Sequence, residues 1–241
     1  LNKVKEPVLF GHTLRELKMI TKTKTTKQEK KLPEGQEKPQ SSELEKLLDS
    51  PLFQLEHEPA AAMRVIGLFG DVNEQTCAEV IQNLLVLSKQ GEIPKNERKD
   101  KYTHSPIEFY LNTHGGSAGD MFAIYDMMRV AKKNCEVQTI GVGKIMSAGV
   151  LILAAGTKGK RKIGANARVM IHSVLGGSEG PLFNLENEMN EIRFVQERYT
   201  KALTKETNLT AKSMKDLLEK HVNVYLSAEE AVKYGIADEV F

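Results

Sequence analysis

Apolar and polar positions follow two different grammars along this chain, and the change falls near Met63. From there on, short apolar runs alternate with stretches whose apolar residues recur every three or four positions. Arg64–Phe69 (RVIGLF) predicts a strand closed by Gly70-Asp71, and Asn73 is placed to cap a helix carrying Val80, Ile81, Leu84, Leu85 and Leu87. Gln90–Pro106 is polar and predicts a long surface loop. Ile107–Leu111 (IEFYL) predicts the next strand. It leads through Asn112-Thr113-His114-Gly115-Gly116-Ser117 into a helix with Met121, Ile124, Tyr125, Met128 and Val130. Val137–Val142 predicts a third strand that turns at Gly143, with Ser147 at the mouth of a small-residue apolar helix, Ala148 to Ala155. After a tight turn at Thr157–Lys160, a strand from Arg168 to Ile171 ends at His172. Strand, glycine turn and helix in repetition predict an α/β fold of parallel strands with right-handed crossovers. Ligands in such sheets bind beyond the carboxyl ends of the strands, where the Gly115-Gly116 and Ser147 turns both fall.

A long helical pattern follows, from Leu182 to about Thr207, with Leu182, Leu185, Met189, Ile192, Val195 and Tyr199 as one apolar seam. At 1.5 Å per residue it would be about 40 Å long, which outruns a small domain. Its seam either packs wholly on the home sheet or lies partly against another subunit. Thr210 is placed to cap a short helix (Lys212–Lys220), His221–Leu226 reads as extended, and Ser227 precedes a last helix, Ala228–Tyr234.

Residues 1–50 read as a separate N-terminal extension, and 51–241 as the folded domain. Leu9–Ile20 (LFGHTLRELKMI) predicts a short amphipathic helix with Leu14, Leu17 and Ile20 on one side. Thr21–Lys46 is nearly devoid of apolar residues and cannot offset its ordering entropy, so it is expected to be a flexible solvated tail or a docking arm. The chain opens on Leu1 rather than Met, as a fragment or a processed form would.

The 34 basic and 32 acidic residues nearly cancel, at +2, so charge gives no reason to expect nucleic acid or anionic membranes as partners. Cys77 and Cys135 have no metal-ligand spacing and read as free thiols of a reducing compartment. No apolar run approaches the roughly 18 residues of a membrane span, and no metal or cofactor motif is present.

Chemistry concentrates between Val137 and Gly177. A hydroxyl at a helix start and an imidazole at a strand end are the groups nucleophilic catalysis requires, with backbone N–H groups nearby for a developing oxyanion. Each has a plainer reading when taken alone. Ser147 could be a helix N-cap, His172 a packed strand-end histidine, and Gly115-Gly116 a simple turn.

Taken together, four ordered segments resemble the ClpP family, the proteolytic subunits of ATP-dependent Clp proteases. They are GGSAGDMFAIYDMM (Gly115–Met128), GKIMSAGVLILAAGTKGKR (Gly143–Arg161), ARVMIHSVLGG (Ala167–Gly177) and YLSAEEAVKYGIADEV (Tyr225–Val240). The resemblance covers about Arg64 to Phe241. It implies a ClpP/crotonase-type α/β spiral with mostly parallel strands and a protruding long helix that makes the ring-to-ring contact. It also implies a serine endopeptidase acting on unfolded polypeptide, in heptameric rings stacked as a tetradecamer. An AAA+ Clp ATPase would feed the chamber, ATP being used by that partner and no cofactor by this chain. Ser147 matches the nucleophile, His172 the general base, and the backbone N–H groups of Gly116 and Ala148 the oxyanion hole. The expected setting is a cytoplasm or an organelle stroma or matrix. A crotonase-like acyl-CoA enzyme on the same fold is disfavoured by the Ser147–His172 pair.

Some residues depart from the family pattern. Alignment on Tyr225-Leu226-Ser227-Ala228 puts Asn223 where the third catalytic residue, normally Asp, belongs. Asn can orient an imidazole but supplies no negative charge. The Asp-to-Asn change in a serine-protease triad costs about 10⁴-fold in turnover, or about 5 kcal/mol of barrier. Asn223 therefore raises the alternative of a weakly active or inactive ClpR-like subunit that completes a mixed ring with ClpP paralogues. His221 reads as structural or surface, His114 stands where Pro is usual, and Lys144-Ile145-Met146 replaces small residues ahead of Ser147. The extension does not resemble the family's short axial segment, so unfoldase docking is the inherited trait with the least support.

Overall fold

The computed structural model describes residues 63–218 and 223–241, together with the two-residue strands β1 (Val8–Leu9) and β2 (His12–Thr13). The chain divides into two units, Leu1–Glu58 and Pro59–Phe241. In the first, β1 and β2 pair antiparallel, with Leu9 opposite His12. The helix expected over Leu9–Ile20 is therefore not formed at Leu9 or at His12–Thr13, which lie in paired strands instead. The rest of that expected helix, and the polar Thr21–Lys46 stretch, lie outside the described residues.

The second unit is built on β3 (Val65–Val72), β4 (Ile107–Gly116), β5 (Val137–Met146), β6 (Lys162–Ile163) and β9 (Glu239–Val240), neighbours in that order and all parallel. β7 (Arg168–Ile171) pairs parallel with β5 and antiparallel with β8 (Val224–Leu226). Between the strands run α1 (Glu74–Leu87), α2 (Ala118–Ala131), α3 (Ala148–Ala154), α4 (Leu182–Glu206), α5 (Ala211–Leu218) and α6 (Ala228–Lys233). Asn73 caps α1 in a reciprocal box with Thr76, and Ser227 caps α6 likewise with Glu230. Among the described residues no helix is long and apolar enough to cross a membrane.

β3, β4 and β5 each run several residues past the ends expected at Phe69, Leu111 and Val142. The pairing register shifts between Phe69 and Asp71 and again between Leu111 and Thr113, so the strands bulge, bend and keep pairing. Gly70 (φ 100°) and Gly143 (φ 65°) take the backbone values that these bends need. The bend in β5 has a consequence for the site. Ile140 and Gly141, before Gly143, pair with β6, whereas Lys144–Met146, after it, pair with β7. One strand thus serves two neighbours, and its far end is delivered beside the strand that precedes His172.

The core contains Ile66, Leu68, Ile107, Phe109, Leu111, Val137 and Ile145 from the sheet and all seven residues of α3. A helix apolar on every side has to be enclosed, and α3 is. Its carboxyl end is covered by cations. Lys132 Nζ donates to the Ala155 carbonyl at 2.6 Å, and Arg161 donates to that of Ala154 at 3.1 Å. Burial lowers the Lys132 pKa and raises those of the free thiols Cys77 and Cys135. The start of α4 is different: Leu182, Phe183, Met189 and Phe194 are exposed, while Tyr199 and Leu203 near its end are buried.

Candidate active site

Ser147 joins β5 to α3 with φ 52° and ψ −118°, the only non-glycine at positive φ among the described residues. Such a conformation costs about 1–3 kcal/mol and persists only where its surroundings hold it. Here the Ser147 N–H donates to the Met170 carbonyl on β7 at 2.8 Å. The Ser147 carbonyl accepts from Val150 N–H at 3.0 Å and from the Tyr199 hydroxyl at 3.2 Å. The capping alternative fails on geometry. The side chains of Asn73, Ser117 and Ser227 accept from their own helices, but that of Ser147 does not. Its Oγ lies 2.9 Å from Nε2 of His172, one residue beyond β7.

The other ring nitrogen, Nδ1, lies 2.5 Å from the carbonyl oxygen of Ser173. A carbonyl only accepts, so Nδ1 carries the proton and Nε2 is left with the lone pair that faces the serine hydroxyl. This is the tautomer a general base requires.

Gly115 lies directly against the serine turn, and Gly116 against Val72 at the end of β3. A Cβ on Gly115 would fall 2.6 Å from Ser147 Cβ and 3.0 Å from Ala148 N, and one on Gly116 would fall 2.1 Å from the Val72 carbonyl oxygen. Both take positive φ, 99° and 150°. Only glycine fits either position: at Gly115 a side chain would collide with Ser147, and at Gly116 with the backbone of β3. A cleft of about 520 Å³ runs over this ground, lined by Gly115, Gly116, Ser147, Ala148, His172 and Tyr199 among others. That volume lies within the usual range for binding pockets, roughly 300–1,000 Å³.

A family model described as Clp protease matches residues 57–241. The chain belongs to the Clp protease family. It is a ClpP family member with that family's mixed α/β architecture, a mostly parallel sheet and one long helix, and the family is one of serine-type peptidases.

In this Clp protease the structure brings together Ser147, His172, Gly116 and Ala148 around one cleft. The antiparallel pairing of β7 with β8 sets Ile171 opposite Val224, so Asn223 enters β8 beside the end of β7 from which His172 projects, without bonding to it. Asn223 is exposed just before β8, and no hydrogen bond joins it to His172, whose Nδ1 faces Ser173 instead. His221 lies outside the described residues. His114 is exposed on the cleft wall, and the Lys144 N–H is 3.3 Å from Asn112 Oδ1.

Three groups at the site are not evident from sequence. The Ser173 carbonyl has no side-chain signature. Gln196, a polar residue beside the apolar seam of α4, accepts from the Val174 N–H at 2.7 Å. Tyr199 counts as apolar in a periodicity, yet a buried tyrosine hydroxyl needs a partner, and that requirement was its only signal. Burial raises its pKa further.

Proposed function

We propose that this Clp protease is a serine endopeptidase subunit that cleaves unfolded polypeptides through an acyl-enzyme at Ser147. The supporting observation is the 2.9 Å approach of Ser147 Oγ to His172 Nε2 by a hydroxyl that caps no helix. Ser147 Oγ adds to the scissile carbonyl carbon while Nε2 takes its proton. The carbonyl oxygen, now negative, receives the N–H groups of Gly116 and Ala148. Collapse breaks the carbon–nitrogen bond, and the imidazolium returns its proton to the departing amine. Water then enters, loses a proton to Nε2 and adds to the acyl carbon; collapse breaks the bond to Ser147 Oγ, which takes the proton back from Nε2 as the carboxyl product leaves.

The partner of Nδ1 is a neutral carbonyl, so the ring is held in orientation while its positive charge goes without a carboxylate counter-charge. Hydrolysis is accordingly slower than with a charged third member. That same observation favours a second reading, a ClpR-like subunit of low activity within a mixed ring. Two features come with the family: rings stacked as a tetradecamer of this chain or its paralogues, and an AAA+ ATPase that uses the ATP and delivers substrate; the free thiols Cys77 and Cys135 fit a reducing compartment. No cofactor of its own enters this scheme.

The assembled protein is treated with a fluorophosphonate probe beside Ser147→Ala. Labelling of the wild type alone is the expected result, and a wild type that stays unlabelled in its assembled state overturns the peptidase reading in favour of the ClpR-like one.

A further inference from the structure

We propose that Gln196 and Tyr199, one turn apart on α4, are positioning residues that aim the catalytic groups by locking two peptide planes. The inference rests on the peptidase reading of Ser147 and His172. A peptide unit is planar and trans, so its C=O and N–H point in opposite directions and cannot turn independently. Tyr199 Oη donates to the Ser147 carbonyl at 3.2 Å. That carbonyl shares its plane with the N–H of Ala148, which belongs to the proposed oxyanion hole. Holding the oxygen on one side fixes the N–H on the other, and it does so at the single strained non-glycine residue among those described.

Gln196 does the same on the histidine side. Its Oε1 accepts from the Val174 N–H at 2.7 Å, and the carbonyl in that plane belongs to Ser173, the partner of His172 Nδ1 at 2.5 Å. Residues three apart share a helix face, so one face of α4 sets both the oxyanion donor and the base. The same helix borders the intervening segment. A Cβ on Gly176 would fall 2.4 Å from Ile192 Cδ1, so the chain after His172 passes directly over α4.

The test compares Tyr199→Phe, Gln196→Met and Gln196→Glu in the assembled protein, using a fluorogenic peptide and a peptide boronate as transition-state mimic. Tyr199→Phe removes one hydroxyl and leaves Val150 N–H on the Ser147 carbonyl, so thermal midpoint and ring mass are expected to hold. The kcat is expected to fall roughly 10–100-fold with KM nearly unchanged, part of the effect of deleting an oxyanion donor. Boronate affinity falls by a similar factor. Gln196→Met also lowers kcat, and Gln196→Glu, which keeps an acceptor for Val174 N–H, recovers most of the loss. Wild-type kcat and boronate affinity in Tyr199→Phe, or equal losses in both Gln196 variants, would overturn the proposal. A wild type that neither turns over peptide nor labels at Ser147 overturns instead the reading beneath it.

Discussion

Arg161 grips Asp238 across 77 residues of sequence, with Nε 2.8 Å from Oδ2 and a second guanidinium nitrogen 2.5 Å from Oδ1. The same carboxylate accepts from the N–H groups of Gly159 and Arg161. The third guanidinium nitrogen donates to the carbonyls of Ala154 and Glu206, so one buried side chain joins the C-terminal segment, the end of α3 and the end of α4. Removing one partner of a buried pair strands the other, at a cost of about 3 kcal/mol or more. Asp238→Ala is expected to lose about that much in denaturant unfolding. An Arg161→Met/Asp238→Leu double variant is not expected to recover it, because Ala154 and Glu206 lose their donor as well.

Burial alone would raise the Asp238 pKa, but the Arg161 guanidinium and the two N–H donors outweigh it and hold the carboxyl below its ordinary 3.8. A folded pKa below the unfolded one means the stabilisation is complete above the unfolded value and is lost as pH falls through the folded value. Asp238→Asn should therefore be less stable than wild type at neutral pH, with the gap closing below about pH 3.8. A gap that stays constant into acid would show that the charge of Asp238 contributes nothing.

Glycine positions separate by what a methyl group would meet. Gly116→Ala drives Cβ into the Val72 carbonyl oxygen at a φ of 150°, and Gly115→Ala drives it into Ser147. Either should cost at least about 100-fold in peptidase rate, as displacements near 1 Å do. Gly119, inside α2, has only Ser117 Oγ nearby, at 3.8 Å. Gly119→Ala should stabilise by about 0.5–1 kcal/mol through lost unfolded-state freedom. Thermal melts and peptide hydrolysis on the three variants check both statements.

Much of this architecture is written locally. Asn73, Ser117 and Ser227 each begin a helix that their side chains cap, and the spacing of Val80 and Leu84 marks a buried face. Leu85, expected on that face, is exposed, because spacing cannot say how wide a stripe the sheet covers. Gly70 and Gly143 signal a break in a strand, but the same residue serves a turn and a bulge. Only the neighbouring strand decides between them, and here it continues the pairing. At the site, side-chain chemistry was legible in Ser147 and His172, whereas the Ser173 carbonyl is a main-chain group that any residue could supply. Asn223 was a matter of alignment, and whether its side chain meets His172 depends on the pairing of β7 with β8, which no local pattern encodes.

With Nδ1 of His172 facing Ser173, the ring is oriented without Asn223. Asn223→Ala is accordingly expected to change kcat/KM by less than about threefold, against about 10⁴-fold for altering a working third member. A loss of the larger order would mean that Asn223 reaches His172 during turnover.

The uncovered stretch of α4 bears on assembly. Leu182 and Phe183 are 65% and 76% exposed, and Met189 and Phe194 about half so, along a helix whose end carries Gln196 and Tyr199. Soluble monomers rarely display an apolar stripe of this kind, and burial of such side chains contributes about 25 cal/mol per Å². If α4 meets its counterpart in a facing ring, Phe183→Glu/Met189→Glu should reduce the assembled mass while leaving each subunit's melting nearly unchanged, since both side chains are solvated in the single chain. Because α4 also supports the serine and histidine turns, peptidase rate per subunit should fall with the mass, although the two substitutions lie well away from Ser147 in sequence. Native mass measurement and peptide hydrolysis on the same samples separate the outcomes. Full-sized particles would place the contact elsewhere, and small particles with undiminished turnover would show that α4 supports the site without help from a facing ring.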